Sequence, residues 1–217
     1  MYDGIIFDQD GILLDSGIDK FYWMDEIRAK EARKKGFDFT VEDAKTLVKA
    51  NSAEPVKKLI ESKGMTWQHV KEIELAVENQ KIEKIEHGEI GLFPGVKKVL
   101  DTLDKKKAVV TNAPLLSTRL NLRYFGISKE FEVVNAPHTD DMRQFFGRKK
   151  PKPVMIEETM QKMGLENPVM VGDTSSDIKA AENAGIDSIH INSYGFDSGT
   201  EPTHVADSIE EVLDIVR

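Results

Sequence analysis

An unbroken apolar run, Ile5-Ile6-Phe7, stops abruptly at Asp8-Gln9-Asp10-Gly11, and this junction constrains the chain more than any other stretch. Three consecutive apolar residues suit a strand buried on both faces, which points to an interior strand of a largely parallel sheet. The polar residues follow at its carboxyl end, where open α/β sheets place their ligands. Asp8 and Asp10 would share one face of a strand, but Gly11 lets the backbone leave the sheet at once. Two neighbouring carboxylates repel, so the pair calls for a divalent cation, a shared proton or a nearby lysine. Read alone, the stretch is also ordinary turn material.

Three later stretches answer it, in order and each after an apolar run. Val109-Val110 leads into Thr111-Asn112-Ala113-Pro114, where a hydroxyl and free backbone N–H groups at a helix start suit either an anion or a plain N-cap. Arg148-Lys149-Lys150-Pro151-Lys152-Pro153 is a basic run of the kind that lines a solvated face. Its two prolines, however, stiffen the backbone around Lys150 and open a helix, an arrangement that would aim one ammonium group into a site. Val169-Met170-Val171-Gly172-Asp173 repeats the strand-then-acid pattern, and Asp177 follows four residues later as a second acid or as a helix cap.

The rest of the chain sorts into two patterns. Over 16–88 no strand is convincing, and helical spacing predicts helices over about 16–35, 41–50, 53–62 and 66–86, with Thr40 and Thr66 as N-caps. Asp15 reads as the cap of the first. From Gly91 onward strands and helices alternate, with strands near 108–110, 131–134, 169–171 and 188–191 and a closing helix over 208–216. Residues 135–149, with Asp140, Asp141, Phe145 and Phe146, read as a long packed loop. The expected fold is α/β, a Rossmann-like doubly wound, mostly parallel sheet formed by 1–15 and 89–217, with a small helical cap domain, 16–88, inserted after the first strand.

Composition narrows the function classes. A net charge of −8 over 217 residues argues against nucleic-acid binding by bulk electrostatics. Cysteine is absent, which excludes disulfides, thiolate metal sites and a cysteine nucleophile. No apolar run approaches the roughly 18 residues a membrane span requires, and the first strand begins almost at the amino terminus. The expectation is a cytoplasmic protein, monomer or homodimer, acting neither on nucleic acid nor at a membrane, with an anionic small partner still able to bind through local charge.

Taken together, the four stretches resemble the haloacid dehalogenase-like hydrolase superfamily, whose motifs match Asp8-x-Asp10-Gly11, Thr111-Asn112, Lys150-Pro151-x-Pro153 and Gly172-Asp173-x-x-x-Asp177. The helical insert after the first motif resembles that of the phosphoglycolate phosphatase and β-phosphoglucomutase branch. The resemblance implies Asp8 as the nucleophile that forms an aspartyl-phosphate. It implies Asp10 as the acid that protonates the leaving alkoxide and then activates water, retaining its proton until needed. Mg²⁺ would be held by Asp8, the Asp10 backbone carbonyl and Asp173, with Asp177 as a further ligand or orienting group. Gly11, Thr111, Asn112 and Lys150 would bind the substrate phosphate, Thr111 and Lys150 also stabilising the transition state. The acid at Asp10 favours phosphoryl transfer over dehalogenation, which has no alkoxide to protonate. The implied function is a Mg²⁺-dependent phosphatase for a small phosphoglycolate-like or sugar-phosphate-like monoester. The alternatives are a phosphomutase and a non-catalytic binding or regulatory protein. None of the five histidines is assigned a role in chemistry.

Overall fold

The computed structural model describes all 217 residues. Six strands form one sheet: β1 (Gly4–Phe7), β2 (Lys106–Val110), β3 (Val133–Asn135), β4 (Pro168–Gly172), β5 (Asp187–Ile191) and β6 (His204–Ala206). Their order is β3-β2-β1-β4-β5-β6, and every adjacent pair is parallel. The first strand is therefore central, flanked by β2 and β4, and all four residues of β1 are buried.

Side-chain alternation divides the sheet between two cores. Ile5, Phe7, Val109, Val169, Val171 and Ile189 face a cluster completed by helices α5 (Val96–Thr102), α6 (Leu115–Tyr124) and α10 (Val212–Val216). Ile6, Ala108, Val110 and Met170 face the other side, against α8 (Val154–Met163) and α9 (Ser175–Ala184). Helices on both faces make the sheet doubly wound. The strand at 204–206 was not expected, and the closing helix is shorter than the pattern suggested, beginning as a 3-10 turn at Ile209–Glu211.

Between β1 and β2 lie four helices, α1 (Tyr22–Lys34), α2 (Val41–Lys49), α3 (Ala53–Ser62) and α4 (Trp67–Glu86). Capping boxes open α2 and α4, with the Thr40 and Thr66 side chains accepting from the N–H groups of Asp43 and His69. Two expectations are corrected here. The first helix starts at Tyr22 because Asp19, Lys20 and Phe21 all have left-handed backbone angles. Asp15 caps nothing; its carboxylate accepts from the Tyr194 hydroxyl at 2.6 Å, and the ring of Tyr194 meets Phe21 edge-on.

The helical block has its own core, built from residues such as Ala32, Leu47, Val56, Ile60, Val70 and Ile73. Residues 135–149 also depart from the expected loop. Asp141 accepts from the N–H groups of Arg143 and Gln144 and so caps α7 (Met142–Arg148). That short helix sends Met142, Phe145 and Phe146 into the core of the helical block. No helix is long and apolar enough to cross a membrane.

Candidate active site

The ends of β1, β2 and β4 and the loop before α8 converge. Asp8 continues the β1–β4 pairing, its N–H donating to the Val171 carbonyl, so its carboxyl emerges at the strand end with little freedom. Asp8 Oδ1 accepts from the Gln9 N–H at 2.8 Å and lies 2.9 Å from Lys150 Nζ. Lys150 is 3 % exposed; its ammonium also donates to the Val110 carbonyl at 3.0 Å and pairs with Asp177 Oδ1.

Asn112 explains how the lysine is held. Its side-chain oxygen accepts from the Lys150 N–H at 2.7 Å, and its amide nitrogen donates to the Lys150 carbonyl at 3.4 Å. The Thr111 hydroxyl accepts from the Ala113 N–H at 3.2 Å, which leaves its own proton free to donate into the cavity that it lines. Gly11 contributes room instead of a donor. Its φ is +89°, a side chain there would run into the Asp173 carboxylate, and its N–H is already bonded to the Leu14 carbonyl at 2.9 Å.

Asp8, Asp173 and Asp177 form a buried carboxylate cluster whose nearest oxygens lie within 4.8 Å of one another. Asp177 is fully engaged, one oxygen with Lys150 and the other accepting from the Thr174 N–H and hydroxyl. Asp173 is the opposite: both carboxylate oxygens are buried with no hydrogen-bond partner. Burial raises the Asp8 carboxyl, the Asp177 charge adding to this while Lys150 opposes it. Asp173 is raised too, by burial and then by Asp177 and Asp8. Burial alone would lower the Lys150 ammonium, but Asp177 and Asp8 reverse this and raise it, so it is a permanent cation. A hard divalent cation fits such a donor set: it would satisfy the two orphaned Asp173 oxygens and relieve the repulsion.

Asp10 has a different environment. Its Oδ1 accepts from the Ser16 hydroxyl at 2.6 Å and pairs with Lys81, a fully buried lysine on α4. Burial pushes the Asp10 carboxyl up, but Lys81, Ser16 and Gln9 together hold it below its ordinary value. Lys81, Glu78 and the buried Arg28–Glu74 pair all lie outside the four motifs. Their one signal is spacing: Glu74, Glu78 and Lys81 recur at i, i+4 and i+7, one face of α4. His190, also unassigned, meets the Asp173 carbonyl at 3.1 Å and so braces that residue through its backbone.

A cavity of about 610 Å³ is lined by Asp8, Asp10, Thr111, Lys150 and Asp173 from the sheet domain and by Arg28, Glu74 and Glu78 from α1 and α4. The pattern of the haloacid dehalogenase-like hydrolase family matches residues 5–191. The chain belongs to that family. A phosphoglycolate phosphatase of Vibrio parahaemolyticus is 36% identical over 135 residues, covering 58% of this chain and 56% of that protein. The chain thus spans about half the length of that relative. The match to the phosphoglycolate phosphatase of Vibrio cholerae runs further, at 30% identity over 98% of this chain and 96% of that one. A variant of CbbY from Rhodobacter sphaeroides, crystallised with xylulose-1,5-bisphosphate, shares the fold with a TM-score of 0.75 at 18% identity, covering 97% of this chain and 96% of that one.

Proposed function

We propose that this member of the haloacid dehalogenase-like hydrolase family is a Mg²⁺-dependent phosphatase of small phosphate monoesters, with residues 16–88 acting as a cap over the site. The observation that carries the reading is the Asp8 carboxylate, anchored 2.9 Å from a permanent lysine cation at the end of the central strand, beside an Asp173 with two unsatisfied oxygens. Phosphoglycolate phosphatase relatives support the choice of a phosphate ester.

Asp8 Oδ1 carries both the Gln9 and Lys150 bonds, so Oδ2 is left to attack phosphorus. A new Asp8–phosphorus bond forms as the ester oxygen departs, giving an aspartyl-phosphate and an alcohol. Lys150, the Thr111 hydroxyl and the Asn112 backbone N–H take the phosphoryl oxygens as charge builds. Asp10 gives the departing alkoxide its proton, then accepts one from the water that cleaves the acyl-phosphate. With Lys81 in place Asp10 rests as a carboxylate, the form needed for the second step, so it takes a proton from solvent before it serves the leaving alkoxide, and the proton it later draws from water returns to solvent. Asp8, Asp173 and the Asp10 carbonyl are the groups that would hold Mg²⁺, with Asp177 orienting through Lys150; the ion supplies neutralisation of the charge that a phosphate dianion brings to these carboxylates.

The test is phosphate release from a panel of monoesters with Mg²⁺, with EDTA, and with Asp8→Asn. Release that needs both the metal and Asp8 is the expected result. Release that survives Asp8→Asn would place the nucleophile elsewhere, and none from any ester would remove the reading.

A further inference from the structure

Helix α6 is apolar on both sides. Its inner face is buried through Leu115, Ser117, Thr118, Asn121 and Leu122. Its outer face carries Leu116, Leu120 and Tyr124, which are 70, 44 and 57 % exposed and recur at i, i+4 and i+8 as one stripe, with the exposed Arg119 and Arg123 along one edge. Every other α-helix has at most one large apolar side chain exposed to this degree. Single exposed apolar residues are ordinary, whereas three in a row on one helix mark an interaction surface. The outer face also lacks Asp, Glu and Lys, in a chain that has 68 Asp, Glu, Lys and Arg residues among 217, and that depletion, with Tyr and Arg retained, is the composition of an interface centre.

We propose that this face is a homodimer interface, with two copies of the chain meeting along antiparallel α6 helices across a two-fold axis beside Leu120. The spacing argues for a second copy as the occupant. The stripe is symmetric about Leu120, so a two-fold axis there sets Leu116 of each copy against Tyr124 of the other and Leu120 against its own counterpart. A large ring then meets a smaller side chain at both ends, and the gap between the helices stays even. Arg119 and Arg123 lie on one flank, and the two-fold carries the second copy's pair to the opposite flank, so the like charges do not face each other. Antiparallel helices also oppose their dipoles. Covering the stripe and the two arginine stems removes on the order of 500 Å² per copy, about 1,000 Å² in total, which stands at the threshold of a specific interface. The dimer therefore forms with rising concentration and dissociates on dilution.

The experiment reads the mass by light scattering across about 1–500 µM, a range that brackets such an interface. The unaltered chain is expected to rise from 24.4 kDa toward twice that value. Leu120→Glu, which sets two carboxylates at the axis, should hold the mass at the lower value with Tm unchanged in dilute solution, since the side chain lies outside the three cores. The chain has no cysteine, so introduced thiols report the geometry without background. Helices about 8–10 Å apart bring facing Cα atoms within the reach of a disulfide. Under copper–phenanthroline oxidation Leu120→Cys should cross-link to itself, Leu116→Cys should cross-link to Tyr124→Cys in a mixture of the two, and Arg123→Cys should not cross-link to itself. These arms decide the matter even if Leu120→Glu fails to fold. A mass that stays at one chain throughout overturns the proposal and leaves the stripe to a different protein. A dimer that survives Leu120→Glu and gives no Leu120→Cys cross-link uses another face, and self-linking of Leu116→Cys as efficient as that of Leu120→Cys makes the helices parallel; either result overturns it too.

Discussion

Lys81 and Asp10 form an ion pair that joins the carboxyl-terminal half of α4 to the loop after β1, linking the helical block to the proposed acid–base residue across 71 positions of sequence. Lys81 is 1 % exposed, so the pair is shielded from solvent and from salt. The contact does two things at once: it seats α4 over the strand ends and it holds Asp10 ionised.

Removing the cation should therefore change the pH dependence as well as the rate. With 4-nitrophenyl phosphate the leaving group needs no proton, so Asp10 is required as the base of the second step. Lys81 depresses the Asp10 carboxyl; without it, burial raises that value, and the base form appears only at higher pH. Lys81→Met should lower kcat more at about pH 6 than at about pH 8, moving the acid limb of the profile upward, with Lys81→Arg partly restoring it. A uniform fall across pH would show that the lysine serves packing alone.

The carboxylate cluster makes a prediction about metal and stability. Asp8 and Asp173 have raised carboxyls in the folded chain, so the unfolded chain ionises them first. Their contribution to stability is intact below the ordinary carboxylate range and is lost as pH rises through the raised values. The metal-free protein should lose stability as these groups ionise, and Mg²⁺ should restore it. Thermal unfolding with EDTA and with Mg²⁺ should give a larger metal-dependent rise in Tm at about pH 8 than at about pH 5. Equal rises at both would mean that Mg²⁺ binds elsewhere.

Arg28 and Glu74 form a bidentate pair in the buried interface between α1 and α4. Burial raises the Glu74 carboxyl, but Arg28 and the more distant Lys149 carry it below its ordinary value. Glu74→Gln leaves a buried guanidinium poorly matched and should cost about 3–5 kcal/mol in urea unfolding at neutral pH. A depressed carboxyl contributes stability above its unfolded value, and the contribution disappears as pH falls through the folded one. The gap between the unaltered protein and Glu74→Gln should therefore narrow from about pH 7 to about pH 4; a gap independent of pH would contradict the assignment.

What could be read in advance follows a physical divide. Asp8, Thr111 and Asp173 each follow an apolar run, and Lys150 directly precedes a stiffening Pro-x-Pro, so local pattern is enough to place all four at strand ends or helix starts. Lys81 and Glu78 offer no such pattern. A charged residue on a long helix reads as solvent-facing, and only the seating of α4 over the strand ends buries these two. The left-handed residues Asp19–Phe21 were similarly hidden, since none is a glycine and their conformation accompanies aromatic contacts of Phe21 with Tyr194 and Phe196. The strand at 204–206 has three residues, too few for a period to show.

The helix α7 is the largest of these departures, and one substitution tests its role. Phe146 is fully buried in the core of the helical block, 6.3 Å from the Trp67 ring and 5.2 Å from Phe145, with Lys149 Nζ 5.1 Å from its centroid. Only three residues separate it from Lys150, so this packing anchors the approach to the site lysine as well as filling the core. Phe146→Ala removes the ring and leaves a void that so close-packed a core can only partly collapse. The expected cost is about 3–5 kcal/mol in urea unfolding, with a change in Trp67 fluorescence and a fall in kcat/KM as the backbone before Lys150 loosens; Phe146→Leu should recover part of all three. A cost below about 1 kcal/mol would mean that α7 rests on the helical block without belonging to its core.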